Sequence, residues 1–259
     1  MDLGLTNKKV LVTGASKGIG KEIAIQFAKE GCIVSIIARN EEKLKEVVNE
    51  MNKYNQGHSY YAIDLLPLEN PKKAINELLK DKKGFDIVVH SVGGTLRVRD
   101  VLSSYEDWLS VWRFNTGIAI EINNLLVPYM KEQKWGRIIH ISSQSAFGLR
   151  GCGAYGASKA YLNKYAIVLG KGLAKDGIVV SAITPGSVYA PGGDWDENSS
   201  KNNSDIDAFH KKKADFLRHH MPIGRLGTAD EIAPFALFLA SKQASFAIGS
   251  VVPVDGGTD

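Results

Sequence analysis

Hydrophobic and polar positions alternate between two textures along the chain. Short Val/Ile-rich runs occur at 9–13 (KVLVT), 33–38 (IVSIIA), 59–63 (SYYAI), 86–91 (DIVVHS), 137–142 (RIIHIS), 179–184 (VVSAIT) and 250–254 (SVVPV). Most are almost continuously apolar, the pattern of strands covered on both faces. Longer amphipathic stretches at 18–30, 41–54, 69–82, 106–132, 154–175 and 229–241 predict helices between them. This alternation predicts α/β architecture: a doubly wound parallel sheet of about seven strands with helices on both faces. Right-handed crossovers then place ligand sites at the carboxyl ends of the strands.

Composition changes this picture little. The 259 residues suffice for one sizeable core, and nothing resembling a linker or repeat divides them, so residues 1–259 are expected to form a single domain. A net charge of +4 is too mild to argue for nucleic acid as a partner. No segment approaches the roughly twenty apolar residues of a membrane helix. The opening apolar run is broken by Asn7, Lys8 and Lys9, unlike a secretory leader. Cys32 and Cys152 stand far apart without metal-ligand spacing, so no metal site is expected and both read as reduced thiols of a cytoplasmic protein.

Candidate chemistry begins where the first strand runs into TGASKGIG, Thr13 to Gly20. Gly14, Gly18 and Gly20 permit a tight turn and close backbone approach to a pyrophosphate. The helix start beyond them offers free N–H groups and partial positive charge. The strand–turn–helix context turns a weak triplet into a specific signal for a dinucleotide. In such folds a carboxylate at the end of the second strand accepts from the ribose 2′-OH of NAD, whereas an arginine accommodates a 2′-phosphate. Here Ala38 replaces the acid, Arg39 follows, and Lys17 adds a second cation, which favours NADP(H) over NAD(H).

A second cluster is AYGASKAYLNKYA, residues 154–166, just after Ser142 and Ser143. Tyr155 and Lys159 are four apart, hence on one helix face. A phenol has a pKa of about 10, and a cation near 4 Å at an effective dielectric of 20 contributes about 4 kcal/mol, roughly three pKa units. The pair fits either a solvated helix face or a proton-transfer site.

TGASKGIG, Asn115, ISS, YGASK and Pro185–Gly186 occur in this order, with GRLGTADEIAPFALFLAS and VDGG near the end. Together they resemble the short-chain dehydrogenase/reductase family, in the subgroup of 3-oxoacyl-acyl-carrier-protein reductases, over essentially the whole chain. The resemblance implies a Rossmann-like fold in which Tyr155 is the general acid in reduction and the base in oxidation. It implies that Lys159 tunes Tyr155 and holds the nicotinamide ribose, that Ser143 binds the substrate oxygen, and that Asn115 holds a water for proton relay. It places cofactor contacts at Gly14, Ser16, Lys17, Gly18, Ile19, Gly20, Arg39, Asp64, Leu65, Gly93, Pro185, Gly186 and Val188, besides Tyr155 and Lys159. Asp64 matches the position that contacts the adenine.

The chain departs from the family pattern at three places. The family's Asn-Asn-Ala-Gly reads His90-Ser91-Val92-Gly93 here, and His90 reads as a structural substitute rather than a catalyst. The threonine usual after the Pro-Gly motif is replaced by Ala190. Ser143 also lies one residue closer to Tyr155 than expected. Counting back from Tyr155 selects Ser142 and counting along the strand selects Ser143; loops absorb deletions more easily than strands, which favours Ser143.

Residues 189–221 read as a loop followed by a short helix, and the resemblance makes them a substrate lid. Lys211, Lys212, Lys213, Arg218, His219 and His220 make its second half basic, and Arg97, Arg99 and Arg150 lie in loops at the same strand ends. These fit either an anionic or carrier-bound substrate or a solvated face. Phe209, Phe216 and Leu217 are expected to pack the lid down rather than bind substrate. The expected activity is NADP-dependent hydride transfer between nicotinamide and a small-molecule or carrier-bound carbonyl or secondary alcohol. The alternatives are an NAD-linked alcohol or sugar dehydrogenase and a non-catalytic NADP-binding regulator. A homotetramer or homodimer is expected, with Ile118, Ile122, Leu125 and Leu162 on the pairing helix faces.

Overall fold

Seven strands form one sheet: β1 (Lys9–Thr13), β2 (Ile33–Ala38), β3 (Ser59–Ala62), β4 (Ile87–His90), β5 (Gly136–Ile141), β6 (Ile178–Pro185) and β7 (Ser250–Val254). This is a computed structural model, and it describes residues 2–80, 83–148, 153–190, 215, 217, 219 and 221–258. The strand order is β3-β2-β1-β4-β5-β6-β7 and every pairing is parallel. The seven expected strands are all present, with ends moved by at most one residue.

Parallel strands need crossovers, and the helices supply them: α1 (Gly18–Lys29), α2 (Glu41–Met51), α3 (Asn70–Leu78), α4 (Tyr105–Trp112), α5 (Ile118–Glu132), α6 (Gly153–Leu173) and α7 (Ala229–Ala240). Alternate strand residues face opposite layers. Val10, Val12 and Ile36 pack with Ile23, Phe27, Ile232 and Leu237 from α1 and α7. Leu11, Ile37, Val88 and Ile138 pack with Ile75, Ile122, Leu126 and Ala166 from α3, α5 and α6. The chain leaves β1 toward β2 on one side and returns to β4 on the other. The carboxyl ends of β1 and β4 therefore flank the switch-point crevice where such sheets bind ligands.

The stretch 106–132, expected as one helix, is two helices joined by a wider turn at Arg113–Gly117. Asn115 explains the break. Its Nδ2 donates to the Val111 carbonyl at 2.8 Å, competing for the i−4 acceptor that the helical ladder would use. The expected pairing surface is corrected as well: Ile118, Ile122 and Leu162 are buried in this chain's own core, and Leu125 packs against it. The outward residues of these helices include Tyr105, Leu109, Tyr161 and Val168.

Candidate active site

The glycine loop has the shape a pyrophosphate cradle requires. Gly14 and Gly18 adopt φ of 72° and 59°, the left-handed region that side chains resist. A Cβ on Gly14 would sit 2.7 Å from the Ser91 carbonyl oxygen, and one on Gly20 would sit 2.5 Å from the Gly14 oxygen. The cradle is thus closed between β1, the start of α1 and the β4 loop, with Ser91 filling the space beside Gly20 that the departure from Asn-Asn-Ala-Gly left in question. Lys17 is extended and immediately precedes α1, so Ser16, Lys17, Gly18 and Ile19 border the free N–H groups of that helix. These residues fit a dinucleotide phosphate.

Around the cradle, Arg39 is exposed immediately after buried Ala38, at the carboxyl end of β2. Leu65 is buried, and the Asp64 carboxylate accepts from Leu66 N at 3.0 Å, which turns the chain after β3. Pro185 ends β6, and Gly186 lies against the Asp255 backbone, where a Cβ would meet the carbonyl oxygen at 2.6 Å. Val188 and Tyr189 are pinned to Gly227, through a backbone bridge and a 2.9 Å hydrogen bond from Tyr189 N. Ala190 borders the glycine loop, since a Cβ on Gly18 would lie 3.3 Å from its side chain. Leu217 is buried with Met221 and Leu226, and Tyr189 packs on them. The lid residues 191–214 (Phe209 among them), Phe216, Arg218 and His220 lie outside the described residues, as do Arg150 and Cys152. Cys32 is a buried free thiol whose Sγ donates to the Leu5 carbonyl.

Tyr155 and Lys159 occupy the first two turns of α6, beside the end of β5. Lys159 is 3% exposed, and its ammonium donates to the Ile141 carbonyl at 2.8 Å. Burial pushes its pKa down to about 7. Its Nζ lies 5.7 Å from the centre of the Tyr155 ring. Asn115 closes the group from the α4–α5 break: its Oδ1 accepts from Gly94 N at 3.0 Å and its Nδ2 donates to Gly94 O at 2.8 Å. Gly93 lies between them, for a Cβ there would be 2.6 Å from Asn115 Oδ1 and 3.0 Å from Lys159 Nζ.

The two serines separate cleanly. Ser142 is buried, and its Oγ donates to the Lys159 carbonyl at 3.3 Å, tying β5 to α6. Ser143 is partly exposed, and its Oγ accepts from Ser145 N at 3.1 Å at the start of a short turn.

A further polar group lies beneath this site. His90 and His140 are register partners on β4 and β5, and their rings stack at 4.9 Å with planes 12° apart. His90 Nε2 meets Asn123 Oδ1 at 2.8 Å, Asn123 Nδ2 donates to Tyr165 Oη at 3.1 Å, and the Tyr165 ring meets His140 edge-on at 5.6 Å. Burial holds both imidazoles neutral, His90 pushed down to about 4. The sequence singles out His90 by its departure from the family pattern. The available signal was a second histidine at the equivalent place of the next apolar run, IVVH against RIIH.

Comparisons with known proteins converge on one family. The family model described as enoyl-(acyl carrier protein) reductase matches residues 14–259. The 3-oxoacyl-[acyl-carrier-protein] reductase of Aquifex aeolicus is 34% identical over 260 residues, covering 99% of each chain. The chain belongs to the short-chain dehydrogenase/reductase family. The family is not uniform in substrate: a (2S)-[(R)-hydroxy(phenyl)methyl]succinyl-CoA dehydrogenase subunit of Thauera aromatica is 31% identical, with 98% of each chain covered. L-sorbose reductase from Gluconobacter frateurii, solved with NADPH and L-sorbose, superposes with a TM-score of 0.90 at 30% identity, covering 100% of this chain and 98% of that one. As a member of this family the protein is an oxidoreductase that works with a nicotinamide cofactor on a carbonyl or alcohol group. Among the described residues, no helix is long and apolar enough to cross a membrane.

Proposed function

We propose that the protein is an NADPH-dependent reductase of a carbonyl, with Tyr155 as proton donor, Lys159 as its electrostatic partner and Ser143 as the substrate-oxygen ligand. The single observation that carries this reading is the buried Lys159 ammonium, held by one carbonyl and facing the Tyr155 ring. A buried cation with so little compensation is costly to keep, and such groups concentrate where a reaction uses them. The bound nicotinamide would supply the hydride. Tyr155 donates its phenolic proton to the oxygen as that oxygen gains charge, and the Lys159 field stabilises the phenolate left behind. Ser143, with its hydroxyl free of α6, donates to the same oxygen. Asn115, locked to Gly94 by two hydrogen bonds, keeps the helix break open beside Lys159, where a relay water would enter.

Four finer readings accompany this one. Arg39 and Lys17 favour the 2′-phosphate of NADPH, and Ala38 presents no carboxylate to repel it. Residues 189–221 act as the substrate lid, rooted at Val188 and Tyr189 on Gly227. A 3-oxoacyl thioester or a compact polyol ketone suits the reading, by analogy with the relatives above. The protein works as a homodimer or homotetramer whose contacts include the exposed Tyr105, Leu109, Tyr161 and Val168. Sedimentation at micromolar concentration tests the assembly, and a monomer alone would contradict it.

The test of function is turnover of NADPH against a panel of 3-oxoacyl thioesters and ketoses, with Tyr155→Phe measured alongside. Wild type should turn over at least one, and Tyr155→Phe should lose about 10²–10⁴-fold in kcat while NADPH binding persists. Near-wild-type turnover by Tyr155→Phe would overturn the site assignment.

A further inference from the structure

The polar seam under Lys159 has no role in the reading above, yet it is built as carefully as the site. His140 lies two residues below Ser142 on β5 and therefore points to the same face of the sheet, a step of about 6.6 Å. Ser142 touches the Lys159 carbonyl. One turn further along α6, a step of about 6 Å, comes Asn163. Because α6 is the crossover between parallel β5 and β6, it runs against the strands. The descent from Lys159 to Asn163 thus parallels the descent from Ser142 to His140, which by helix and strand rise sets the two residues at a similar depth below the Ser142–Lys159 contact.

Both are polar, buried and unsatisfied. His140 is 0% exposed and Asn163 is 6% exposed. Neither ring nitrogen of His140, neither amide atom of Asn163 and not His90 Nδ1 has a hydrogen-bond partner among the described residues. Leaving such groups dry costs about 1–3 kcal/mol each, and buried water making about three hydrogen bonds is the usual solution. The geometry also ties the seam to the reaction. His140 directly precedes Ile141, whose carbonyl is the acceptor for Lys159 Nζ, and His140 feels the Lys159 charge.

We propose that His140, seated on His90 and linked by ordered water to Asn163, is a positioning residue for Lys159: it forms the polar floor that lets this buried lysine keep its proton. The proposal rests on Lys159 acting as the partner of Tyr155. The recorded contacts of the seam join His90 from β4, His140 from β5, Asn123 from α5 and Tyr165 from α6; the register above adds Lys159 and Asn163 from α6. No carboxylate of the described residues is hydrogen-bonded into it, so beyond the Ile141 carbonyl the ammonium is left to the dipoles of imidazole, amide and water. An apolar floor would make the lysine titrate lower, weaken its field at Tyr155, and raise the pH at which the phenol ionises.

His140→Phe keeps the stacked ring and removes both nitrogens, and Asn163→Leu removes the amide from the opposite wall. In the alcohol-oxidation direction, kcat should rise with pH as Tyr155 ionises. Each variant should move that limb to higher pH by about half a unit or more. His140→Gln, which restores a donor and an acceptor, should return it toward wild type. KM and NADPH affinity should change little, and thermal unfolding of each variant shows that it is folded. A limb that stays in place in both folded variants, with kcat lowered uniformly or unchanged, would overturn the proposal. If His140→Phe does not fold, Asn163→Leu decides alone. Tyr155→Phe, run beside them, separates this outcome from failure of the site assignment, because that failure alone would leave turnover in Tyr155→Phe.

Discussion

Gly93 packs so tightly against Lys159 that a Cβ would stand 3.0 Å from the ammonium nitrogen and 2.6 Å from the Asn115 side-chain oxygen. Gly93 has no left-handed φ to require glycine, so space alone is the reason. Gly93→Ala should push Asn115 and Lys159 away from Tyr155 and lower kcat by about 10²-fold, the cost of a misplacement near 1 Å. Steady-state kinetics check this, and a variant with wild-type kcat would show that this contact has no bearing on the reaction.

Ser142 and Ser143 should fail differently. Ser143→Ala removes a partly exposed hydroxyl, whose bond from Ser145 N caps a short surface turn, and should lower kcat by about 10–10³-fold with little change in thermal stability. Ser142→Ala breaks the buried tie to the Lys159 carbonyl and should cost about 1 kcal/mol of stability, with a smaller kinetic effect. Paired kinetics and thermal melts of the two variants resolve the assignment, and the reverse pattern would transfer the catalytic role to Ser142.

Arg39 should select the cofactor. It stands exposed where β2 ends, with no acid beside it at Ala38. Arg39→Ala should weaken NADPH binding by about 1.5–3 kcal/mol and leave NADH nearly unchanged. Fluorescence titration with both cofactors reads the difference, and equal affinities in wild type would remove the basis for the preference.

How much of this was legible beforehand follows from which interactions are local. The strands were readable because each is a buried parallel run whose apolar residues are contiguous, as in KVLVT and IVSIIA. The tight turn after β1 was readable because Gly14, Gly18 and Gly20 act through backbone shape within one turn. The break at Arg113–Gly117 was not, because it depends on the Asn115 side chain holding both Val111 and Gly94. The helix faces were misread for a related reason. Ile118, Ile122 and Leu162 look outward-facing only until α5 and α6 are placed over the sheet. His140 showed only as a second histidine in the matching run RIIH, and Asn163 carried no local signal, since their environment is assembled from β4, β5, α5 and α6.

Lys159 should be a stability liability. Its pKa falls from 10.5 to about 7 on folding, so the unfolded chain binds the extra proton between those values. Stability from this group therefore rises with pH across that window, and below pH 7 the full cost of the buried ammonium is present. Lys159→Met should abolish turnover yet raise the unfolding free energy of the cofactor-free protein at neutral pH and below, by roughly a few kcal/mol. Denaturant titration at pH 6 and pH 9 measures it. The gain should shrink at pH 9, and a variant less stable than wild type at pH 6 would show that Lys159 is better compensated than its one carbonyl partner implies.

His90 should make the fold acid-sensitive well above the usual carboxylate range. The folded protein keeps this imidazole neutral, with its pKa pushed down to about 4 from 6.5, because burial opposes the charge more strongly than the Asn123 hydrogen bond favours it. Between pH 6.5 and pH 4 the unfolded chain takes up a proton that the folded one refuses. Stability from this group is thus complete above pH 6.5 and declines as pH falls, by about 2 kcal/mol at pH 5. His140 is shifted in the same direction and adds to the slope, since a proton on either ring would also repel one on the other. His90→Asn cannot titrate and can still bond Asn123, so its stability should change less between pH 7 and pH 5 than that of wild type. Urea unfolding at the two pH values gives the comparison directly. Equal losses in the two proteins would mean that the stacked pair opens to water, or takes up its proton, without the fold giving way.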